Sequence, residues 1–228
     1  MPATSRSEDA TTLARPRSVR RYVAMGDSFT AGAHSGAAAT QRWPDALATR
    51  LREASPALDY RNLAVTGARS EDVARDQLDA AVRLRPDVVT LVCGANDVLL
   101  SVRPDVERYG AALSAMLGRL DRDLPDAAVV TATTPDFAGF LDLHERSRRR
   151  VADGLEWLAE VTRLVARSHD VVCLEFADHP EAVERANYAG DGYHPSAEGN
   201  RRAAAAFCAA IASHFAIAAP ETRPRETA

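Results

Sequence analysis

The sequence contains no lysine: all 28 of its basic residues are arginine. Schiff-base catalysis and the phosphate-binding lysine of a P-loop are therefore excluded. Cysteine is scarce as well. Cys93, Cys173 and Cys208 each lie in an apolar run ("VVTLVC", "VVCLEF", "AAFCAAI"), where a free thiol behaves as a small hydrophobe. Their odd number and placement argue for a reduced, cytoplasmic setting. No apolar run approaches the length of a membrane-spanning helix, and the N-terminus lacks the apolar stretch of a secretory signal. Arg20 and Arg21 imitate a twin-arginine signal only superficially, because Asp27 interrupts the apolar residues after them. A net charge of -4 offers no electrostatic footprint for nucleic acid or an anionic membrane, which favours a small-molecule substrate. His34, His144, His169, His179 and His214 show no ligand spacing, so neither a metal nor a cofactor is expected.

What is present is a core. With 228 residues and 46% hydrophobic content, the chain suits one domain, expected over residues 20–217 between polar, disordered tails at 1–19 and 218–228. Short β-rich runs, "RYVAMGD", "DYRNLAV", "DVVTLVCG", "AAVVTATT" and "DVVCLEF", alternate with segments of helical period. That alternation predicts an α/β fold with a central parallel five-stranded sheet covered by helices on both faces. Pro44 suits a first helical turn, with Leu47 and Leu51 on one face after it. Longer stripes, Val106 to Leu120, Leu155 to Val165 and Phe207 to Phe215, mark core faces of three further helices. In an open parallel sheet ligands bind beyond the carboxyl ends of the strands, so the residues just after each strand are the ones to inspect.

Four such places carry suggestive chemistry. In "YVAMGDSFTAG", Ser28 follows the first strand among small neighbours; it is either a turn serine or an accessible nucleophile. The stretch is not the Gly-x-Ser-x-Gly elbow, because Thr30 stands where the second glycine belongs. In "AGDGYHPSAEGN", Asp191 lies three residues before His194, ahead of Pro195 and a helix start at Ser196. A serine hydroxyl needs a base to take its proton and an acceptor to hold that base in one tautomer, and His194 and Asp191 could supply both; as surface residues they would do neither. Gly67 in "NLAVTGARS" and Asn96 in "CGAND" end the second and third strands, as ordinary turn residues or as donors. The Ser28 amide, the Gly67 amide and the Asn96 side chain would together form an oxyanion hole.

The stretches "GDSFTAG", "NLAVTGA", "GAND" and "DGYHPSAEG", in this order and spacing, resemble the four blocks of the SGNH (GDSL-type) hydrolases. The resemblance covers nearly the whole chain from Arg21 to Phe215. It implies a flavodoxin-like three-layer α/β/α sandwich, Ser28 as nucleophile, His194 as general base, Asp191 as its orienting carboxylate, and Gly67 and Asn96 in the oxyanion hole. "QRWPDALATRL" is similar to the family's helix after the first block, which makes Trp43 a packing residue.

The resemblance therefore implies a serine esterase acting through an acyl-enzyme. An acyltransferase with the same triad, passing the acyl group to an alcohol or sugar, is the alternative, and a non-catalytic binding module is a further one. The middle of the chain, "TTPDFAGFLDLHERSRRRVADG", sets the substrate. Phe137, Phe140 and Leu141 are expected either to line an acyl pocket or to pack on their own helix, and Arg146, Arg148, Arg149 and Arg150 either to meet an anionic group or to form a solvated face. Small residues around Ser28 and the lack of a lid insertion favour short acyl groups. Asp27 and Asp97 are expected to bond local backbone.

Overall fold

The computed structural model describes residues 18–32 and 42–215. The strands β1 (Arg21–Gly26), β2 (Asp59–Asn62), β3 (Val88–Val92), β4 (Ala128–Ala132) and β5 (Val172–Leu174) form one sheet in the order β2-β1-β3-β4-β5, with every pair parallel. This is the doubly wound order in which the chain reverses direction between β1 and β3. The helices are α1 (Ser28–Ala31), α2 (Trp43–Ala54), α3 (Ser70–Asp76), α4 (Leu78–Leu84), α5 (Ala95–Leu99), α6 (Val106–Asp123), α7 (Glu145–Ser168) and α8 (Ala197–His214).

Every residue of β3 and β4 is buried, because helices cover both sides of the sheet. Alternate residues of a strand face opposite layers. Val23 and Met25 join one cluster with the apolar stripes of α6 and α7, whereas Tyr22 and Ala24 join another with Trp43, Leu47 and Phe207 of α2 and α8. The result is the three-layer sandwich that the alternating pattern predicts.

Two boundaries differ from expectation. Val19, placed in the N-terminal tail, is buried, and its N–H donates to Ser55 Oγ at 3.2 Å, so the packed chain already includes it. The rest of the expected tails, residues 1–17 and 218–228, lies outside the described residues, as do residues 216 and 217 of the expected domain. The second strand stops at Asn62, whose side chain turns the chain: its Oδ1 accepts the Ala64 N–H at 3.0 Å and its Nδ2 donates to the Thr30 carbonyl at 2.8 Å.

The end of β1 is held unusually tightly. Gly26 has φ +148°, and a Cβ there would lie 2.0 Å from the Val92 carbonyl oxygen, so only glycine lets β1 approach β3 this closely. Gln77, buried between α3 and α4, brackets the same residue: its Oε1 accepts the Gly26 N–H and its Nε2 donates to the Gly26 carbonyl, both at 2.8 Å. Replacing Gln77 by leucine leaves the Gly26 N–H buried without a partner. Gln77→Leu is therefore expected to lower the unfolding free energy by about 2 kcal/mol. Urea denaturation measures this, and a variant as stable as the wild type would show that the bracket contributes nothing.

Candidate active site

Ser28 is the first residue of α1, immediately beyond the carboxyl end of β1, and is largely buried. Asp27 caps this single-turn helix by accepting the Phe29 N–H at 3.0 Å, and Gly32 closes it in the left-handed conformation. Helix α1 is pinned from outside by Trp43, whose ring N–H donates to the Phe29 carbonyl at 3.0 Å. The Trp43 backbone N–H in turn donates to Asn200 Oδ1 of α8 at 2.8 Å, and its ring stacks on Phe207 at 4.3 Å. Trp43 thus packs rather than reacts.

At the other end of the chain, Asp191 and His194 form a compact unit before α8. The His194 ring Nδ1 lies 2.6 Å from Asp191 Oδ2, and Asp191 Oδ1 accepts the backbone N–H groups of His194 at 3.1 Å and Tyr193 at 3.2 Å. Partial burial pushes the Asp191 carboxyl up, but the His194 ring and these two N–H groups outweigh it and hold it below the ordinary carboxylate range. With Nδ1 directed at Asp191, His194 turns its Nε2 edge to other groups, and the ring is almost wholly buried. The Tyr193 ring packs against it in a tilted arrangement, with centroids 4.1 Å apart. Asn200 anchors the unit by donating to the Pro195 and Ser196 carbonyls, and Ser196 caps α8 through the Gly199 N–H.

The two remaining sites meet next to each other. Gly67, at φ +81° in the turn after β2, is exposed with open space where a side chain would be. Asn96 on α5 donates one of its two amide hydrogens to the Ala68 carbonyl at 3.0 Å, which leaves the second for another acceptor. Asp97 reinforces the contact, because it accepts both the Ser70 hydroxyl at 2.7 Å and the Ser70 N–H at 3.0 Å. Burial pushes Asp97 up despite these bonds.

Ser28, Asn96 and His194 all line one cleft of about 590 Å³ at the carboxyl ends of β1, β3, β4 and β5. Its walls are mostly apolar, with Leu99, Phe137, Leu174, Phe176, Ala203 and Ala206 among them. Gly67 is not a lining residue, but the Asn96 bond to the next residue, Ala68, holds its turn beside the cleft. The expected pocket residues need correcting in part. Phe137 lines the cleft and packs on Tyr193, but Phe140 is covered by Tyr188 and Arg185, and Leu141 lies in the core beneath α7. Leu141 shares its core cluster with Val151 and Leu155 of the helix that follows, whereas Phe140 packs on a later segment of the chain.

The arginine run also turns away. None of Arg146, Arg148, Arg149 and Arg150 lines the cleft. Arg148 donates to the Leu143 carbonyl, Arg149 pairs with Glu145, and Arg150 holds the Val98 and Ser101 carbonyls. Among the described residues there is no group of three or more histidine, cysteine or acidic side chains able to hold a metal. His34 lies outside them. No helix among the described residues is long and apolar enough to cross a membrane.

Several residues that shape the site escape sequence reasoning. Gln77, Ser70 and Asn200 read as ordinary polar helix residues, and only their burial exposes their role. Thr133, after β4, is another. Its hydroxyl accepts the Phe176 and Ala177 N–H groups and donates to Glu175, fixing the wall of the cleft.

Comparison with known proteins agrees with this architecture. The sequence matches the profile of the GDSL-like lipase/acylhydrolase family over residues 24–202. No curated protein matches it significantly in sequence. Among solved structures, a GDSL-like lipase from Parabacteroides merdae superposes with a TM-score of 0.72 at 17% identity, covering 86% of this chain and 96% of that one. A lipase/acylhydrolase from Enterococcus faecalis gives 0.65 at 21% identity, covering 84% and 95%. An acetylxylan esterase from Geobacillus stearothermophilus gives 0.67 at 17%, covering 90% and 97%. At these identities the structural likeness concerns the fold.

The depressed pKa of Asp191 makes a stability prediction. A carboxyl lowered in the folded state contributes stability above its unfolded pKa of about 3.9 and loses it as the pH falls through the folded value. Asp191→Asn should therefore melt below the wild type at pH 6, with the difference shrinking as both are acidified below pH 4. Thermal melts across that range test it, and a difference independent of pH would rule the linkage out.

Proposed function

The chain belongs to the GDSL-like lipase/acylhydrolase family, and we propose that this carboxylic ester hydrolase uses Ser28 as nucleophile, His194 as general base and Asp191 as the carboxylate that orients His194. The observation that carries the reading is the 2.6 Å contact between Asp191 and the His194 ring on the wall of the cleft that also contains Ser28.

In the first half-reaction Ser28 Oγ attacks the ester carbonyl carbon and its proton passes to His194 Nε2. Asp191 stabilises the imidazolium that forms. The carbonyl oxygen becomes an oxyanion, held by the Ser28 N–H in the first turn of α1, the second amide hydrogen of Asn96 and the Gly67 N–H. Collapse breaks the bond to the alcohol, which leaves with the proton from His194. In the second half-reaction water gives its proton to His194 and attacks the acyl-enzyme. The carboxylic acid departs and the proton returns to Ser28.

Fixed donors suit this chemistry because they need not reorganise as the charge develops. Each one lost typically costs about 3 kcal/mol of transition-state stabilisation. The tie from Asn96 to Ala68, and from Ser70 to Asp97, supports such rigidity. All of this machinery falls within residues 20–217, the span proposed as the catalytic domain. For the substrate we propose an ester whose acyl group enters the apolar cleft past Phe137. Short acyl groups fit, and a volume of about 590 Å³ also admits longer ones, so size alone does not restrict the enzyme to acetyl esters.

Hydrolysis of p-nitrophenyl esters from acetyl to palmitoyl tests the reading. Ser28→Ala and His194→Ala are expected to lower kcat by roughly four to six orders of magnitude, and Asp191→Ala by less. Folded Ser28→Ala that keeps wild-type turnover would overturn the assignment. Adding an alcohol to the same assay separates transfer from hydrolysis, since a transferase would divert most of the acyl-enzyme to the alcohol.

A further inference from the structure

Asp27 is 2% exposed and sits between the two turns that carry Ser28 and Asn96. Its Oδ1 accepts the Phe29 N–H at 3.0 Å, and the Gly94 N–H and its own also act on the carboxylate. Its backbone N–H reaches the Val92 carbonyl at 3.4 Å. Gly94 caps α5, the helix of Asn96, at φ +127°, and the side chains of Tyr109 and Leu158 fill the space behind it. Asp27 therefore touches the nucleophile turn on one side and the Asn96 turn on the other.

Capping a single helical turn needs no charge, because serine or asparagine does so equally well. A buried carboxylate is costly unless it is paired. Among the described residues no arginine forms an ion pair with Asp27. The titratable groups facing it, Asp97 on α5, the Cys93 thiol after β3 and Tyr109 of α6 behind them, offer no cation either; His194, Glu175, His179, Glu181, Arg201 and Arg202 line the same cleft, where both arginines pair with Glu198 and Arg202 also with Glu184. The chain keeps an ionisable group where a neutral cap would serve the turn.

We infer that ionised Asp27 is a positioning residue of the hydrolase, an acceptor for N–H groups of both turns that holds the Ser28 nucleophile at its working distance from Asn96. The inference rests on the roles proposed for Ser28 and Asn96. A neutral acid keeps one acceptor oxygen but presents an O–H to the N–H groups facing it, so protonation loosens the join between the turns. Burial pushes the Asp27 carboxyl up to about 7, with the Phe29 N–H opposing the shift and Asp97 adding to it. Asp27 therefore takes up its proton over the range in which an ordinary histidine does. Full activity therefore requires the loss of the Asp27 proton in addition to a general base free to accept one.

The test is the pH dependence of kcat/KM on p-nitrophenyl acetate for the wild type, Asp27→Asn, Asp27→Ser and Ser28→Ala. Because kcat/KM reports the free enzyme, the wild-type acid limb should be steeper than unit slope around pH 7, where Asp27 gains its proton. Asp27→Asn and Asp27→Ser, checked for folding by circular dichroism, should lose roughly tenfold to a hundredfold in kcat with KM little changed. Their acid limb should have unit slope, which loss of packing alone would not produce. A wild-type limb of unit slope throughout overturns the inference, and so does a folded Asp27→Asn with wild-type kcat or a limb as steep as the wild type's. If neither variant folds, the wild-type slope decides. Activity retained in Ser28→Ala would instead remove the catalytic reading on which the inference rests.

Discussion

The close approach of Gly26 to the Val92 carbonyl sets the geometry from which the rest of the site is built. At the point where the strand order reverses, the chains leaving β1 and β3 diverge, and the crevice between them is where an α/β sheet binds its ligand. A side chain at position 26 would push those strands apart. The Gln77 bracket then fixes the peptide that leads into Ser28. Neither residue has a chemical role, yet the position of the nucleophile depends on both.

A site assembled from four separated stretches needs links across the molecule, and buried hydrogen bonds provide them. Trp43 and Asn200 connect α2, α8, the Ser28 turn and the His194 loop through backbone groups, which leaves little freedom in any of them. Ser70 and Asp97 do the same for the Gly67 turn and α5. Such bonds add about 1 kcal/mol each when made and cost more when one partner is lost. Their larger effect is directional: donors held in place before the reaction need not be organised during it.

Electrostatics divides the acidic residues of the site by environment. Asp191, partly open to solvent and bonded by the His194 ring and two backbone N–H groups, is stabilised as a carboxylate. Asp27 and Asp97, more deeply buried, are pushed the other way despite the donors bonded to them. Glu175 is held down to about 2 by Arg163, with Thr133 helping. One cleft thus carries carboxyl groups of distinct character, and the difference follows from burial and partners rather than residue type.

The alternating apolar runs and helical stripes determine the sandwich without reference to any structure, because a sheet buried on both faces admits few other patterns. The candidate site residues stood out for a similar reason: Ser28, Gly67 and Asn96 lie in the segments that follow β1, β2 and β3, and Asp191 and His194 are near enough in sequence for one short loop to join them. Tertiary structure decided what lies against what. Phe137, Phe140 and Leu141 are neighbours in sequence, yet one faces the cleft and two do not, since a loop and its short 3-10 turn at Ala138–Phe140 have no fixed period from which to read a direction. Likewise nothing in the local sequence around Gln77 or Asn200 points to a partner 51 or 157 residues away. Hydrogen bonds of that span exist only once the layers have packed, whereas the alternation of strand and helix is written into the chain itself.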